Sequence, residues 1–399
     1  MENLVKKNIN DFDFFDKKVL LRLDLNVPIK NGEIESTKRI DEALPTIKAL
    51  IDKNARITIV SHLGKPDGQK KEELSLKPVY EYLKNKLPTK VYFSENVADS
   101  EMEEDVNKLK NGEVLVLENI RFFKGEEEND EEFSKNLAKP FDIFILDAFG
   151  TCHRKHASTY GVAKYLDSGI GLLVEKELSY LENIFEEGKH PILAILGGAK
   201  VKDKLKVIDN LLDKVDAMII GGGMSYTFIK ALKGEIGKSL VDNEQVDYCY
   251  KMIKKAIDNN VRLLLPVDNI CSESLESNKI KNIPNYKMSK NLMALDIGTK
   301  TIKLYKKEIK KARTIIINGP MGVFENENYS NGTREILKAI SKNKKAIKVA
   351  GGGDTIFAIE KFKLESGFNH LSTGGGASLK LLEGGGLVAI NNIKNKGEK

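Results

Sequence analysis

Val19-Leu20-Leu21-Arg22-Leu23, running straight into Asp24-Leu25-Asn26-Val27-Pro28, is a short, nearly unbroken apolar run with a polar exit. Such a run is too short for a helix and does not alternate, so it reads as a strand covered on both faces. The same grammar recurs at 57–60, 114–117 and 143–146, and again at 192–196, 217–220, 262–265, 314–317 and 347–350. Between the runs, Leu76, Val79, Tyr80, Leu83 and Leu87, and later Val207, Ile208, Leu211, Leu212 and Val215, repeat at three and four residues, each set forming one buried helix face. Strands alternating with helices specify an α/β protein with parallel sheets.

A chain of 399 residues exceeds what one core supports. The expectation is two Rossmann-like, doubly wound parallel-sheet domains joined by a helix, with a ligand cleft between them. We place the first domain at 1–170, the joining helix at 171–188 and the second domain at 189–382. A tail of about 383–399 is expected to pack back on the first domain.

Composition narrows the classes. No apolar stretch approaches the roughly 20 residues that span a bilayer, and Met1 to Asp11 has no secretory signal, so a cytoplasmic, non-membrane chain is expected. The net charge of +6 is small for 64 basic and 58 acidic residues. The lysine-bearing end, Asn391 to Lys399, has no aromatic platform beside it, so it reads as a solvated terminus and no nucleic-acid partner is expected. Cys152, Cys249 and Cys271 form neither a disulfide framework nor a metal pair, and we expect reduced thiols, with Cys152 exposed.

Ligands of open α/β sheets bind beyond the carboxyl ends of the strands, and the residues there differ between the halves. The first half places Asp24 and Asn26, Ser61 and His62, Glu118, Asn119 and Arg121, then Asp147 with His153, Arg154 and His156, a polar and cationic rim. In the second half come Gly197-Gly198, Gly221 to Gly223, Asn318-Gly319-Pro320, Gly351 to Gly353 with Asp354 and Thr355, and Thr373 to Gly376. Glycine turns that open helices offer backbone N–H groups to phosphate. One such turn is more often structural; several on one rim point to a nucleotide.

Two common nucleotide fingerprints are missing. Gly237-Lys238-Ser239 has Leu232 where a Walker loop needs glycine, and no GxGxxG follows the first strand. A lone His62 reads better as structural, and Arg22, inside a strand, as an ion-pair partner. Lys200, Lys202 and Lys204 read as starting a helix against its own dipole, which suggests an anionic ligand. Asp354 is balanced between assisting a helix start and a place beside magnesium.

Taken in order, Arg22 to Pro28, Ser61 to Pro66, Glu118 to Phe122, Asp147 to Arg154, Gly197 to Lys204, Gly221 to Phe228, Asn318 to Glu325, Gly351 to Thr355 and Ser372 to Ser378 resemble the successive motifs of the phosphoglycerate kinase family. The resemblance runs from about Val19 to Leu382. It implies reversible phosphoryl transfer from 1,3-bisphosphoglycerate to ADP with Mg2+, giving 3-phosphoglycerate and ATP in glycolysis, by a monomer that closes about a hinge. The alternative is a non-catalytic nucleotide-binding scaffold of the same fold.

By motif, the resemblance assigns Asp24, Leu25, Asn26, Arg39, His62, Leu63, Gly64, Lys65, Arg121 and Arg154 to the phosphoglycerate. It assigns Lys200, Lys204, Ala294, Asn318, Glu325, Gly351, Gly352, Gly353, Asp354 and Thr355 to the nucleotide, with Asp354 near the metal. Gly374, Gly375 and Gly376 would present N–H groups to the transferred phosphate, and Arg39, Lys204 and Gly375 would be catalytic. The chain departs from the family pattern at Lys65, which puts a point charge where a planar fork would orient the substrate, at Ala294 and Thr299 near the adenosine pocket, and at Lys380 and Gly384 to Leu387, which touch the hinge and the docking of the tail rather than the chemistry.

Overall fold

The computed structural model describes residues 6–182, 184–185, 187–277 and 279–398. Residues 1–5, which the amino-terminal reading included, Asn183 and Glu186, within the expected joining helix, and Lys399, within the expected tail, lie outside them. By internal contacts the chain forms two units. The first holds the chain to Leu178 together with Gly386 onward, and the second is Ser179–Gly385.

In the first unit, β1 Lys18–Leu23, β2 Arg56–Val60, β3 Val91–Ser94, β4 Val114–Leu117, β5 Ile143–Asp147 and β6 Asp167–Ile170 form one sheet in the order β3-β4-β2-β1-β5-β6. All pairs are parallel. The central strands are buried almost throughout because helices cover both faces, which is why they read as continuous apolar runs. Helix α1, Lys38–Asp52, packs Ile40, Ala43, Ile47 and Leu50 into this core. Helix α2, Leu172–Leu181, carries the unit boundary; it stops short of Phe185, and Ile184 is buried from a turn instead.

The second unit repeats the plan with β7 Ile192–Leu196, β8 Ala217–Ile220 and β9 Arg262–Leu264. A small antiparallel sheet of β10 Asp268–Ser272, β11 Lys281–Pro284 and β12 Met293–Ile297 follows. The main sheet then continues with β13 Thr314–Asn318, β14 Ile347–Gly351 and β15 His370–Leu371. Its parallel order is β9-β8-β7-β13-β14-β15. The helices that position its rim are α3 Leu205–Leu211, α4 Asn331–Lys342, α5 Gly353–Lys361 and α6 Gly375–Leu382.

The chain then returns to the first unit, where α7, Val388–Asn391, and its neighbours bury Leu387, Ala389, Ile390 and Ile393. The direction of winding reverses between β1 and β5 in one unit and between β7 and β13 in the other. Those are the two places where such sheets leave a ligand crevice. Among the described residues, no helix is long and apolar enough to cross a membrane.

Candidate functional site

At the first unit's switch point, β1 delivers Asp24 and α1 returns Arg39 to it, Nη1 to Oδ1 at 2.9 Å. The exits of β1 and β2 are tied together: the Gly64 N–H donates to Asn26 Oδ1 at 2.9 Å and the Leu25 N–H to Ser61 Oγ at 2.9 Å. The side chains of Leu25 and Leu63 lie in the core, so only their backbone reaches the rim. The Leu63 N–H is itself engaged by Asn119 Oδ1. Lys65 is exposed and Arg154 half-buried, with Arg154 Nε donating to His153 Nε2 at 3.3 Å.

Arg121 is the most telling of these residues. Its side chain is buried, Nη1 donates to the Gly64 carbonyl at 2.8 Å, Nε lies 3.4 Å from Glu127, and Nη2 has no partner. A buried guanidinium with an unengaged N–H is costly until an anion completes it. His62 lies 4% exposed against Arg22, Nδ1 at 3.3 Å from Nη2. Burial first, then Arg22, Arg121, Arg39 and Arg154, hold its pKa well below the ordinary value, so the ring is neutral at pH 7. Four arginines acting on one imidazole make this rim a receptor for an anion.

In the second unit, the turns after β7 and β13 lie back to back. The Gly197 N–H donates to the Asn318 carbonyl and the Gly198 N–H to that of Pro320. Gly319 has φ +102° and any Cβ there would strike Gly197, so glycine is required. Lys204 Nζ donates to the Asn318 carbonyl at 2.8 Å and to Asn318 Oδ1, while Asn318 Nδ2 is buried without a partner. Burial lowers the Lys204 pKa to about 8, opposed by Asp354 and Asp203. Lys200 is exposed.

The three lysines do not start the helix directly after Gly197-Gly198, as the sequence suggested. Lys202–Lys204 form a tight turn and α3 begins at Leu205, because the Lys204 side chain is drawn across to Asn318.

Helix α5 starts after Gly352, φ +90°, and α6 after Gly374. A Cβ on Gly375 would sit 3.6 Å from Gly352 Cα and from Gly353 N, so the two helix N-termini face one another. Their first-turn N–H groups have no intrahelical acceptor, and two dipole ends converge where a phosphate would lie. The Gly374 N–H is turned aside to Ser372 Oγ at 3.3 Å, which leaves Gly375 and Gly376 to face a ligand. Thr355 Oγ1 accepts the Gly319 N–H at 2.7 Å and so holds the turns together.

Beside them is a cavity of about 280 Å³ lined by Gly198, Gly222, Tyr226, Leu240, Ala294, Val323 and Glu325. Its lining is mostly apolar, with Lys238, Glu325 and Asp354 as the charged members. Lys380 pairs with Glu383 at 3.2 Å on the outside of α6, clear of these turns.

Asp354 is exposed in the first turn of α5 and makes no capping bond, the cap position being Gly352. Among the described residues, no three His, Cys, Asp or Glu side chains are grouped to hold a metal by themselves. One free carboxylate beside a phosphate cradle is nevertheless how magnesium is commonly held, so the residues fit that ion when it arrives with a nucleotide.

Cys152 is a correction. It is fully buried, because the tight turn Phe149–Thr151 folds it beneath the rim; its thiol donates to the Ala148 carbonyl at 3.3 Å, and burial pushes its pKa up. Glu126 and Ser158 were not singled out from sequence, yet both are fully buried and linked to Arg22. Glu126 stands in the acidic run Glu126-Glu127-Glu128, which reads as solvated, and only its place directly after Gly125 sets it apart.

The phosphoglycerate kinase family model matches residues 9–385. The phosphoglycerate kinase of Dictyoglomus turgidum is 46% identical over 390 residues, covering 98% of each chain. That of Clostridium botulinum is 46% identical over 398 residues, covering 99% of this chain and 100% of the relative. Among solved structures, the phosphoglycerate kinase from Coxiella burnetii superposes with a TM-score of 0.90 at 41% identity, covering 97% of this chain and 98% of the other. The enzyme from Pyrococcus horikoshii superposes with a TM-score of 0.82 at 33% identity over the same shares.

Proposed function

We propose that this chain, which belongs to the phosphoglycerate kinase family, is a phosphotransferase that moves the acyl phosphate of 1,3-bisphosphoglycerate to ADP and back, with 3-phosphoglycerate and ATP as the other pair. The observation that carries the reading is the phosphate cradle, where two helix N-termini meet at Gly352, Gly353 and Gly375. Lys204 sits at the turns leading into it.

In the direction of ATP use, the nucleophile is a carboxylate oxygen. Carboxyl groups ionise near pH 4, so no base has to remove a proton. What the reaction needs is position and charge neutralisation. Asp24 and Asn26 orient the substrate, Arg121, Arg154 and Lys65 hold its anionic ends, and neutral His62 donates a hydrogen bond. Arg39 and Lys204 neutralise the transferring group, and the N–H groups of Gly375 and Gly376 receive its oxygens. Asp354 would hold magnesium, which would offset the charge of the nucleotide phosphates when bound. Lys200, Glu325, Ala294 and Asn318 hold the rest of the nucleotide. A cytoplasmic monomer that bends about a hinge fits this reading.

The retained cations at both rims speak against a non-catalytic scaffold. The test is formation of ATP from 1,3-bisphosphoglycerate, dependent on MgADP. Arg39→Ala should lower kcat on the order of 10² to 10³ with a smaller change in KM. Absence of ATP formation by the intact chain would remove the reading.

A further inference from the structure

Beneath the first unit's rim lies a chain of buried polar contacts that ends at His62. Arg22 points inward from the central strand β1 and is fully buried. Its Nε donates to Ser158 Oγ at 2.8 Å, its Nη1 to the Leu23 carbonyl, and its Nη2 lies 3.3 Å from His62 Nδ1. Ser158 is also fully buried, in the turn Ala157–Gly161. Its hydroxyl donates to Glu126 Oε1 at 2.7 Å and its N–H to Glu126 Oε2 at 2.8 Å. Glu126 has no exposure, and His156 Nδ1 stands 3.7 Å from its Oε1.

Burial raises the Glu126 pKa while Arg22 and the two Ser158 hydrogen bonds lower it, and with the carboxylate ionised the proton directions in this chain are fixed. A serine hydroxyl has one proton, and Ser158 gives it to the Glu126 carboxylate, so the hydroxyl oxygen must accept from Arg22. A guanidinium never gives up its charge and has no acceptor, so at Nη2 it can only donate. His62 Nδ1 must then offer a lone pair, which leaves the ring proton on Nε2. The carboxylate therefore acts on the histidine through two intermediates: Glu126 orients Ser158, Ser158 locks the guanidinium, and the guanidinium selects the imidazole tautomer.

Building on the functional reading above, we propose that Glu126 and Ser158 are positioning residues that act through Arg22 to hold His62 as its Nε2–H tautomer. The imidazole then presents an N–H donor to the phosphoglycerate. Arg22, Arg39, Arg121 and Arg154 are the charged groups that act most on the ring, with Asp24 paired to Arg39 and Glu126 linked to Arg22 through Ser158, so this is a donor prepared for an anion without itself being charged.

Two-bond 15N–1H correlation spectra of the 15N-histidine protein at pH 7 test this directly, because the two neutral tautomers and the cation give different patterns. The chain has five histidines, and His62→Gln identifies the signal. The expected result is an Nε2–H pattern for His62; an Nδ1–H or imidazolium pattern overturns the proposal. Ser158→Ala should bring in the Nδ1–H form and raise KM for 3-phosphoglycerate roughly tenfold, the size of one hydrogen bond to a charged group, with KM for MgATP unchanged. Ser158→Thr, which keeps the hydroxyl, should keep the wild-type spectrum. A folded Ser158→Ala protein with the wild-type spectrum and unchanged KM refutes the link to Ser158. Should that variant not fold, the wild-type spectrum still decides the tautomer. An intact chain that makes no ATP would remove the catalytic reading while leaving the spectrum interpretable, so the two failures are distinct.

Discussion

Lys204 shows how one residue's surroundings set a measurable property. Burial lowers its pKa to about 8 from the ordinary 10.5. Between those values the unfolded chain binds more protons than the folded one, so the lysine's charge costs stability below the window and the cost disappears as pH rises through it. A nucleotide polyphosphate brings negative charge to the same ammonium and raises its pKa again. Binding of ADP at pH 8 to 9 should therefore take up protons, and at pH 6.5 uptake through this group should vanish. Calorimetric titrations in two buffers of different ionisation enthalpy measure the uptake, and Lys204→Arg, which stays charged throughout, should abolish it. Equal uptake in the arginine variant would move the effect to another group. Lys204→Ala should lower kcat by roughly 10² or more in steady-state assays, the cost of losing one preorganised charge at a transferring phosphoryl group.

At the scale of elements, the facing starts of α5 and α6 separate a glycine needed for folding from one needed for chemistry. Gly352 has φ +90° with ψ 135° and a Cβ there would lie 3.1 Å from Asn318 Nδ2, so Gly352→Ala should lose about 1 to 3 kcal/mol from a backbone region nearly confined to glycine. At Gly375 a Cβ meets only ordinary contacts at 3.6 Å, so Gly375→Ala should unfold in urea within about 0.5 kcal/mol of the parent. Its methyl nevertheless enters the space between two sets of phosphate-binding N–H groups, and kcat should fall on the order of 10². Unchanged turnover in folded Gly375→Ala would show that the phosphate travels elsewhere.

The strands that carry these turns were readable because burial on both faces makes an unbroken apolar run, as in Ile143–Asp147. Val91–Ser94 and Asp167–Ile170 escaped that reading as edge strands, one exposing Tyr92 and part of Phe93 between buried ends and the other opening on a charge. The small sheet from Asp268 to Ile297 escaped it because two of its three strands mix polar with apolar residues, Asp268 being engaged by the N–H groups of Lys300 and Thr301. At the site, ligand-facing residues stood out at strand exits. Glu126 and Ser158 did not, because a buried carboxylate is recognisable only by what packs around it.

At the scale of the whole molecule, the first unit is discontinuous in sequence. Residues from Gly386 onward belong to it, and the Ala389 N–H donates to the Cys152 carbonyl while Asn392 Nδ2 reaches the Tyr160 carbonyl. Leu387, Ile390 and Ile393 are each at most 3% exposed, so removing 386–399 withdraws about 4 to 9 kcal/mol of apolar burial, comparable with a domain's entire stability. Because the second unit has its own core, truncation after Gly385 should erase one calorimetric transition and 3-phosphoglycerate binding while nucleotide binding survives. The division of residues also constrains the reaction. Those assigned to the phosphoglycerate lie in one unit and those assigned to the nucleotide in the other, yet direct transfer needs reacting atoms about 3 to 3.5 Å apart and shielded from water. If binding energy from both ligands is what brings the units into that arrangement, the radius of gyration from small-angle scattering should fall when 3-phosphoglycerate and a MgATP analogue are bound together, and change little with either alone. A radius that stays constant in the ternary complex, with turnover intact, would mean that ligand-driven closure is not part of the cycle.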